Sequence, residues 1–237
     1  ALEALAPGRF EVALGQKHAA PFIEDAVAAH AEAGVDGVCG VVLAPHYSGA
    51  SVGEYLARLR DAAEAAGLAA SGVERWHDLA AYRVWLRDAV AEALTDLPAR
   101  TEVVFTAHSL PERVLDGDPY PDELAASATA VAEELALPCW SIAWQSAGAT
   151  PEPWRGPDIL DLLRDRAADD ATDAVLVCPQ GFVADHLEVA YDLDIEAARL
   201  AAEVGIGFAR TRVLNVDEAV LGALAERIVA TATEAAP

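Results

Sequence analysis

Basic residues are scarce in this chain. Its 237 residues carry 16 Lys and Arg against 39 Asp and Glu, a formal net charge of −23 at neutral pH. A phosphate-binding surface needs clustered Lys and Arg to displace counterions, so this balance excludes nucleic acid as a partner. An anionic membrane surface would repel the chain as well. There is no uncharged apolar run of about 18 residues, and no basic-then-apolar leader. Neither a helical membrane span nor a signal peptide is readable, and the expectation is a soluble cytoplasmic protein. Cysteine is also rare. Cys39, Cys139 and Cys178 stand far apart among apolar neighbours, which suits buried reduced thiols rather than a disulfide framework or a zinc site. No low-complexity linker divides the sequence, and it opens on Ala1-Leu2-Glu3 without a Met, which reads as a fragment boundary.

What is present is a regular alternation. Strand-like apolar runs at 9–15, 37–44, 69–75, 102–107, 139–144 and 174–178 alternate with segments of helical period at 21–33, 51–66, 79–95, 121–136, 157–168, 183–204 and 217–233. Each strand is followed by a helix, the pattern of an α/β protein with doubly wound parallel sheets. The length suits two domains. The expected division is a first domain of 1–75 plus 210–237 and a second of 76–209, with the first incomplete because its sheet looks too small to stand alone. The last helix has an apolar face, including Leu221, Leu224 and Ile228, and is expected to return to the first domain.

Ligands of open α/β folds sit beyond the carboxyl ends of the strands, and three strand ends here carry unusual polar residues. Val41 to Pro45 runs into His46-Tyr47-Ser48, Val103 to Ala107 into His108-Ser109-Leu110-Pro111, and Val175 to Pro179 into Gln180-Gly181-Phe182. His108 is either a metal ligand or proton acceptor held in a cleft, or a histidine tied into a turn. His46 has the same two readings, with structure favoured, and His30 and His77 read as surface residues. On a helix, Glu188, Asp192 and Glu196 recur at four-residue spacing as a carboxylate column. Like charges so stacked repel, which a divalent cation such as magnesium, shared protons or plain solvation must offset. The stretch from Trp144 to Pro157 sets two indoles around a Pro/Gly-rich loop. Trp144 suits core packing at a strand end, and Trp154 suits stacking on a flat ligand.

These residues resemble ferrochelatases in order and spacing. The resemblance rests on Thr106-Ala107-His108-Ser109-Leu110-Pro111, Asp118-Pro119-Tyr120-Pro121, Trp144-Gln145-Ser146, Thr150-Pro151 through Trp154 to Gly156-Pro157, and Gly181-Phe182-Val183-Ala184-Asp185-His186-Leu187-Glu188-Val189. Lys17 to Ala26 and Leu43-Ala44-Pro45-His46-Tyr47-Ser48 extend it over nearly the whole chain. The last motif is similar to the Gram-positive branch, which acts on coproporphyrin III rather than protoporphyrin IX. The resemblance implies two Rossmann-like domains of the class II chelatase kind flanking a porphyrin, and insertion of ferrous iron in haem biosynthesis.

By position, it implies that His108 and Glu188 form the catalytic pair that divides proton removal and iron delivery. Asp192 and Glu196 then extend the metal path, and Tyr47, Ser51 and Trp154 meet the porphyrin. It also implies a monomer that hands its product to a downstream oxidase or decarboxylase. The family's opening segment has no counterpart before Ala1, position 147 is Ala where relatives often carry a larger polar residue, and no cysteine-rich tail for an iron–sulfur cluster follows. A tetrapyrrole carrier without chelation activity, and a class II chelatase loading cobalt or nickel into another tetrapyrrole, are the competing readings.

Overall fold

The computed structural model describes residues 1–234; residues 235–237, which the expected first domain includes, lie outside the described residues. The chain forms two compact units, Ala1–Leu79 with the segment from Val216, and Ala80–Asn215. Among the described residues no helix is long and apolar enough to cross a membrane.

The first unit contains α1 (Leu2–Leu5), α2 (Ile23–Glu32), β1 (Gly37–Val41), α3 (Glu54–Ala66), β2 (Ala69–Val73) and α9 (Glu218–Glu234). β1 and β2 pair in parallel from Gly37↔Ala69 to Val41↔Val73. Gly40 and Gly72 face each other in that register, and a Cβ on either would lie 2.8 or 2.6 Å from a Leu56 methyl. The two glycines therefore make the floor on which the buried Leu56 of α3 sits. α2 starts where the Phe22 N–H donates to the Asp25 carboxylate at 3.0 Å, and α3 stops at Gly67, whose φ of +70° no β-carbon has to share.

The expected strand at 9–15 does not form. Its alternation is real, but no neighbouring strand pairs with it among the described residues, and Val12 and Leu14 point into solvent. A strand pattern without a partner has nothing to satisfy its backbone groups. His46 is buried, and its ring stacks on that of His77 at 5.1 Å. The expectation of a surface His77 is thus corrected; it is half-buried, as is His30. Burial, then the charge of neighbouring His77, holds the His46 imidazole well below the usual histidine range. The folded state keeps His46 neutral while the unfolded chain takes up its proton below about pH 6.5, so stability falls as pH drops through that value. Urea midpoints at pH 7.5 and 5.5 should show this loss, and His46→Gln should make it smaller.

The second unit holds a four-stranded parallel sheet. Its elements are α4 (Ala80–Leu94), β3 (Thr101–His108), α5 (Tyr120–Glu134), β4 (Trp140–Gln145), α6 (Ile159–Ala167), β5 (Ala174–Cys178), α7 (Leu187–Val189), α8 (Ala198–Val204) and β6 (Gly207–Arg210), with strand order β4-β3-β5-β6. The near-continuous apolar runs of β3 and β5 are buried along their length, as strands covered on both faces must be. Residues of β3 alternate between the faces. Ala107 joins Trp144, Tyr120 and Leu124 on the α5 side, whereas Val104 joins Ala143, Ile159, Leu163, Val189 and Leu193 on the side of α6 and α7. His108 shares the parity of Val104 and so belongs to that second face.

β6 was missed in the sequence because four residues that begin on Gly207, just after Gly205, give little periodicity. The helix expected at 183–204 begins only at Leu187, and residues Ala190–Ala197 are wound as a π-helix, with the Ala198 N–H reaching the Leu193 carbonyl. Four-residue spacing cannot distinguish that winding from an α-helix. The cysteine expectation holds for Cys178, whose buried thiol is pushed up to about 12, chiefly by burial. It fails for Cys39, half-buried, and for Cys139, which is exposed just before β4 begins. Glu102, 1 % exposed, accepts from both the Nε and Nη2 of Arg166 on α6 and from the Ser141 hydroxyl at 2.5 Å.

Candidate active site

β3 ends on His108 and the chain turns away at Ser109. The turn is tied down on both sides: the Ser109 N–H donates to the Gln145 carbonyl at 2.8 Å, and its hydroxyl donates to the Arg155 carbonyl at 2.8 Å. The Tyr120 hydroxyl donates to the His108 carbonyl at 3.3 Å. His108 Nδ1 lies 2.5 Å from the Ser109 carbonyl oxygen. A carbonyl can only accept, so Nδ1 carries the proton and Nε2 is left with its lone pair. That nitrogen faces Glu188 Oε2 at 3.7 Å, with both side chains partly exposed. The separation is too long for a hydrogen bond and short enough for an ion pair once His108 is protonated.

Glu188 sits in the first turn of α7, where its N–H donates to His186 Nδ1 at 3.2 Å. The π-helix that follows is clamped by Arg210, which pairs with Asp194 at 2.5 Å and Asp185 at 3.4 Å. π-Wound segments are rare and frequent at functional sites. Asp192 and Glu196 lie on it, half-buried, while Glu188 is exposed. Asp192 accepts from the Ser146 hydroxyl. Ser146 holds a φ of +59°, a conformation that costs a residue with a β-carbon about 1–2 kcal/mol. Among the described residues no three His, Cys, Asp or Glu side chains stand close enough to hold an ion by themselves.

Sequence reasoning missed two members of this neighbourhood. Ser146 gives no signal in one sequence, since serine rarely adopts positive φ. Asp158 could have been found as a helix cap: its carboxylate accepts from the Leu160 N–H at 2.8 Å. Burial, and then the charges of Asp161, Glu196 and Asp192, raise its carboxyl above the usual range. A raised carboxyl favours the fold while protonated and loses that contribution as pH rises through its folded value. Asp158→Asn keeps a good cap and removes the repulsion. It should raise the melting temperature at pH 7, and the gain should shrink toward pH 4.

Trp144 is buried in the core as expected, and Trp154 is half-exposed. The loop between them is clipped to the His108 turn. Glu112 N–H donates to the Pro153 carbonyl and Arg155 N–H to the Leu110 carbonyl, both at 2.9 Å. Two ion pairs cross the same seam, Arg113 to Glu152 at 2.6 Å and Arg155 to Glu112 at 3.5 Å. His108, Glu188, Asp192, Glu196 and Trp154 thus all belong to the second unit. Tyr47 and Ser51 belong to the first, both half-buried, with the Arg75 guanidinium 5.4 Å from the Tyr47 ring.

The ferrochelatase family model matches residues 1–232. A ferrochelatase of Herpetosiphon aurantiacus is 43 % identical over 225 residues, covering 92 % of this chain and 73 % of that protein. The coproporphyrin III ferrochelatase of Bacillus subtilis is 40 % identical over 222 residues, covering 91 % and 72 %. Among solved structures, SirB from Bacillus subtilis with Fe3+ superposes with a TM-score of 0.68 at 14 % identity, covering 98 % of this chain and 87 % of that one. That likeness establishes the chelatase-type α/β fold and no more. With a family model matched over residues 1–232 and relatives near 40 % identity, the chain belongs to the ferrochelatase family.

Proposed function

We propose that the protein inserts ferrous iron into coproporphyrin III, with His108 and Glu188 as the catalytic pair. The observation that carries this reading is the orientation of His108, whose only free nitrogen faces a carboxylate. Metallation replaces two pyrrole N–H protons by one Fe2+, so two protons must be accepted near the ring while a hydrated ion loses its water. A neutral imidazole nitrogen is suited to accept a proton. A carboxylate 3.7 Å away stabilises the imidazolium that forms and offers the oxygen donor that a divalent ion accepts in place of water. Asp192 and Glu196 extend the negative field away from that pair. Trp154 offers a flat indole to the macrocycle, and Tyr47 and Ser51 contribute rim contacts.

The finer parts of the reading follow from donor chemistry. Asp192 and Glu196 suit an accessory magnesium ion, which binds through one or two carboxylates and keeps several of its waters. The three cysteines are fewer than the four thiolates an iron–sulfur cluster takes. We place the protein in the cytoplasm, acting as a monomer whose product passes to a downstream haem-pathway enzyme. The test is anaerobic incubation with ferrous iron and either coproporphyrin III or protoporphyrin IX, followed by absorption. Loss of the free-porphyrin bands with coproporphyrin is the expected result. Faster turnover of protoporphyrin overturns the substrate, and porphyrin binding without any metallation leaves a carrier.

A further inference from the structure

The loop from Ser146 to Pro157 does more than present Trp154. The indole Nε1–H donates to the Thr150 hydroxyl at 3.0 Å, that hydroxyl donates to Glu152 Oε1 at 3.2 Å, and Arg113 holds the other Glu152 oxygen at 2.6 Å. A hydroxyl that accepts on one side and donates on the other has its rotor fixed, so the chain from Arg113 to the indole sets the direction of the ring edge. Gly148 closes the same edge. A β-carbon there would lie 2.5 Å from Trp154 Cζ2 and 2.8 Å from Cη2, closer than real contacts allow. Gly148 is needed for space and not for a left-handed backbone, since it is absent from the glycines of positive φ.

We infer that Gly148 and Thr150 are positioning residues that seat the Trp154 indole as a preformed platform for the flat face of the macrocycle. The macrocycle part rests on the function proposed above. A ring already fixed in its bound orientation loses less freedom on binding, so the seat acts on porphyrin affinity rather than on the metallation step.

The test combines two measurements on the protein labelled with fluorotryptophan. Its five tryptophans give separate fluorine NMR resonances, and that of Trp154 is identified by its loss in Trp154→Phe. In Thr150→Val and Gly148→Ala this resonance should shift or broaden, and in Thr150→Ser it should stay as in the unmodified protein. The KM for coproporphyrin III should rise roughly three- to ten-fold in Thr150→Val, the range one lost neutral hydrogen bond commands, with kcat unchanged and KM restored in Thr150→Ser. In a Trp154→Ala background neither substitution should alter KM further. Unchanged resonance and KM in both variants overturn the seat, as does a KM effect that persists without the indole. A moved resonance in a protein that binds no porphyrin leaves the seat in place and overturns its assignment to a macrocycle.

Discussion

Replacing His108 with alanine is expected to lower kcat for iron insertion by about two to four orders of magnitude, the usual contribution of a positioned general base. The side chain lies at the end of a buried strand and its backbone neighbours are tied to Gln145 and Arg155, so the fold should tolerate the change. Glu188→Gln removes the charge while keeping shape, and should reduce kcat as well, because the imidazolium formed at Nε2 then has no counter-charge 3.7 Å away. The pairing predicts that the double variant loses less than the sum of the two singles. Single-turnover absorption measurements on the four proteins decide this. Additive losses, or full activity in Glu188→Gln, would separate the two residues.

Arg166→Met should cause the largest loss of stability. Glu102 is almost wholly buried, and Arg166 supplies two of the three hydrogen bonds to its carboxylate. Removing the cation leaves a charge stranded on β3, for which breaking a buried pair costs about 3–5 kcal/mol. The partial exposure of Arg166, 33 % of its side chain, places the expectation at the lower end. Chemical denaturation of Arg166→Met and of the double variant Glu102→Leu with Arg166→Met is the check. The double variant should recover much of the loss, because no charge is then left unpaired. Equal stability of Arg166→Met and the unmodified protein would mean that water reaches Glu102.

Much of this site is legible in the sequence because its residues fall at ends of well-defined elements. His108 follows seven buried β3 residues, Thr101 to Ala107, and a strand so largely apolar announces its own terminus. Trp154 stands in a loop crowded with Pro and Gly, where an exposed indole needs a reason. The four-residue spacing of Glu188, Asp192 and Glu196 survives the change from α to π winding, so the column could be proposed without knowing the helix type. Positions whose role arises only in three dimensions were not legible. Ser146 reaches Asp192 across 46 residues, and Asp158 feels Asp192 and Glu196 through space. The segment 9–15 shows the opposite failure: a strand pattern is a local property, whereas a strand requires a neighbour.

The bond between His108 Nδ1 and the Ser109 carbonyl has a consequence for turnover. An imidazole with both nitrogens free could pass a proton through itself, taking it at one and releasing it from the other. Here one nitrogen is blocked by a group that never accepts a proton, so uptake and release share a single door. On the role proposed for His108, a proton taken at Nε2 leaves by the side on which it arrived, past Glu188, before that nitrogen can take another.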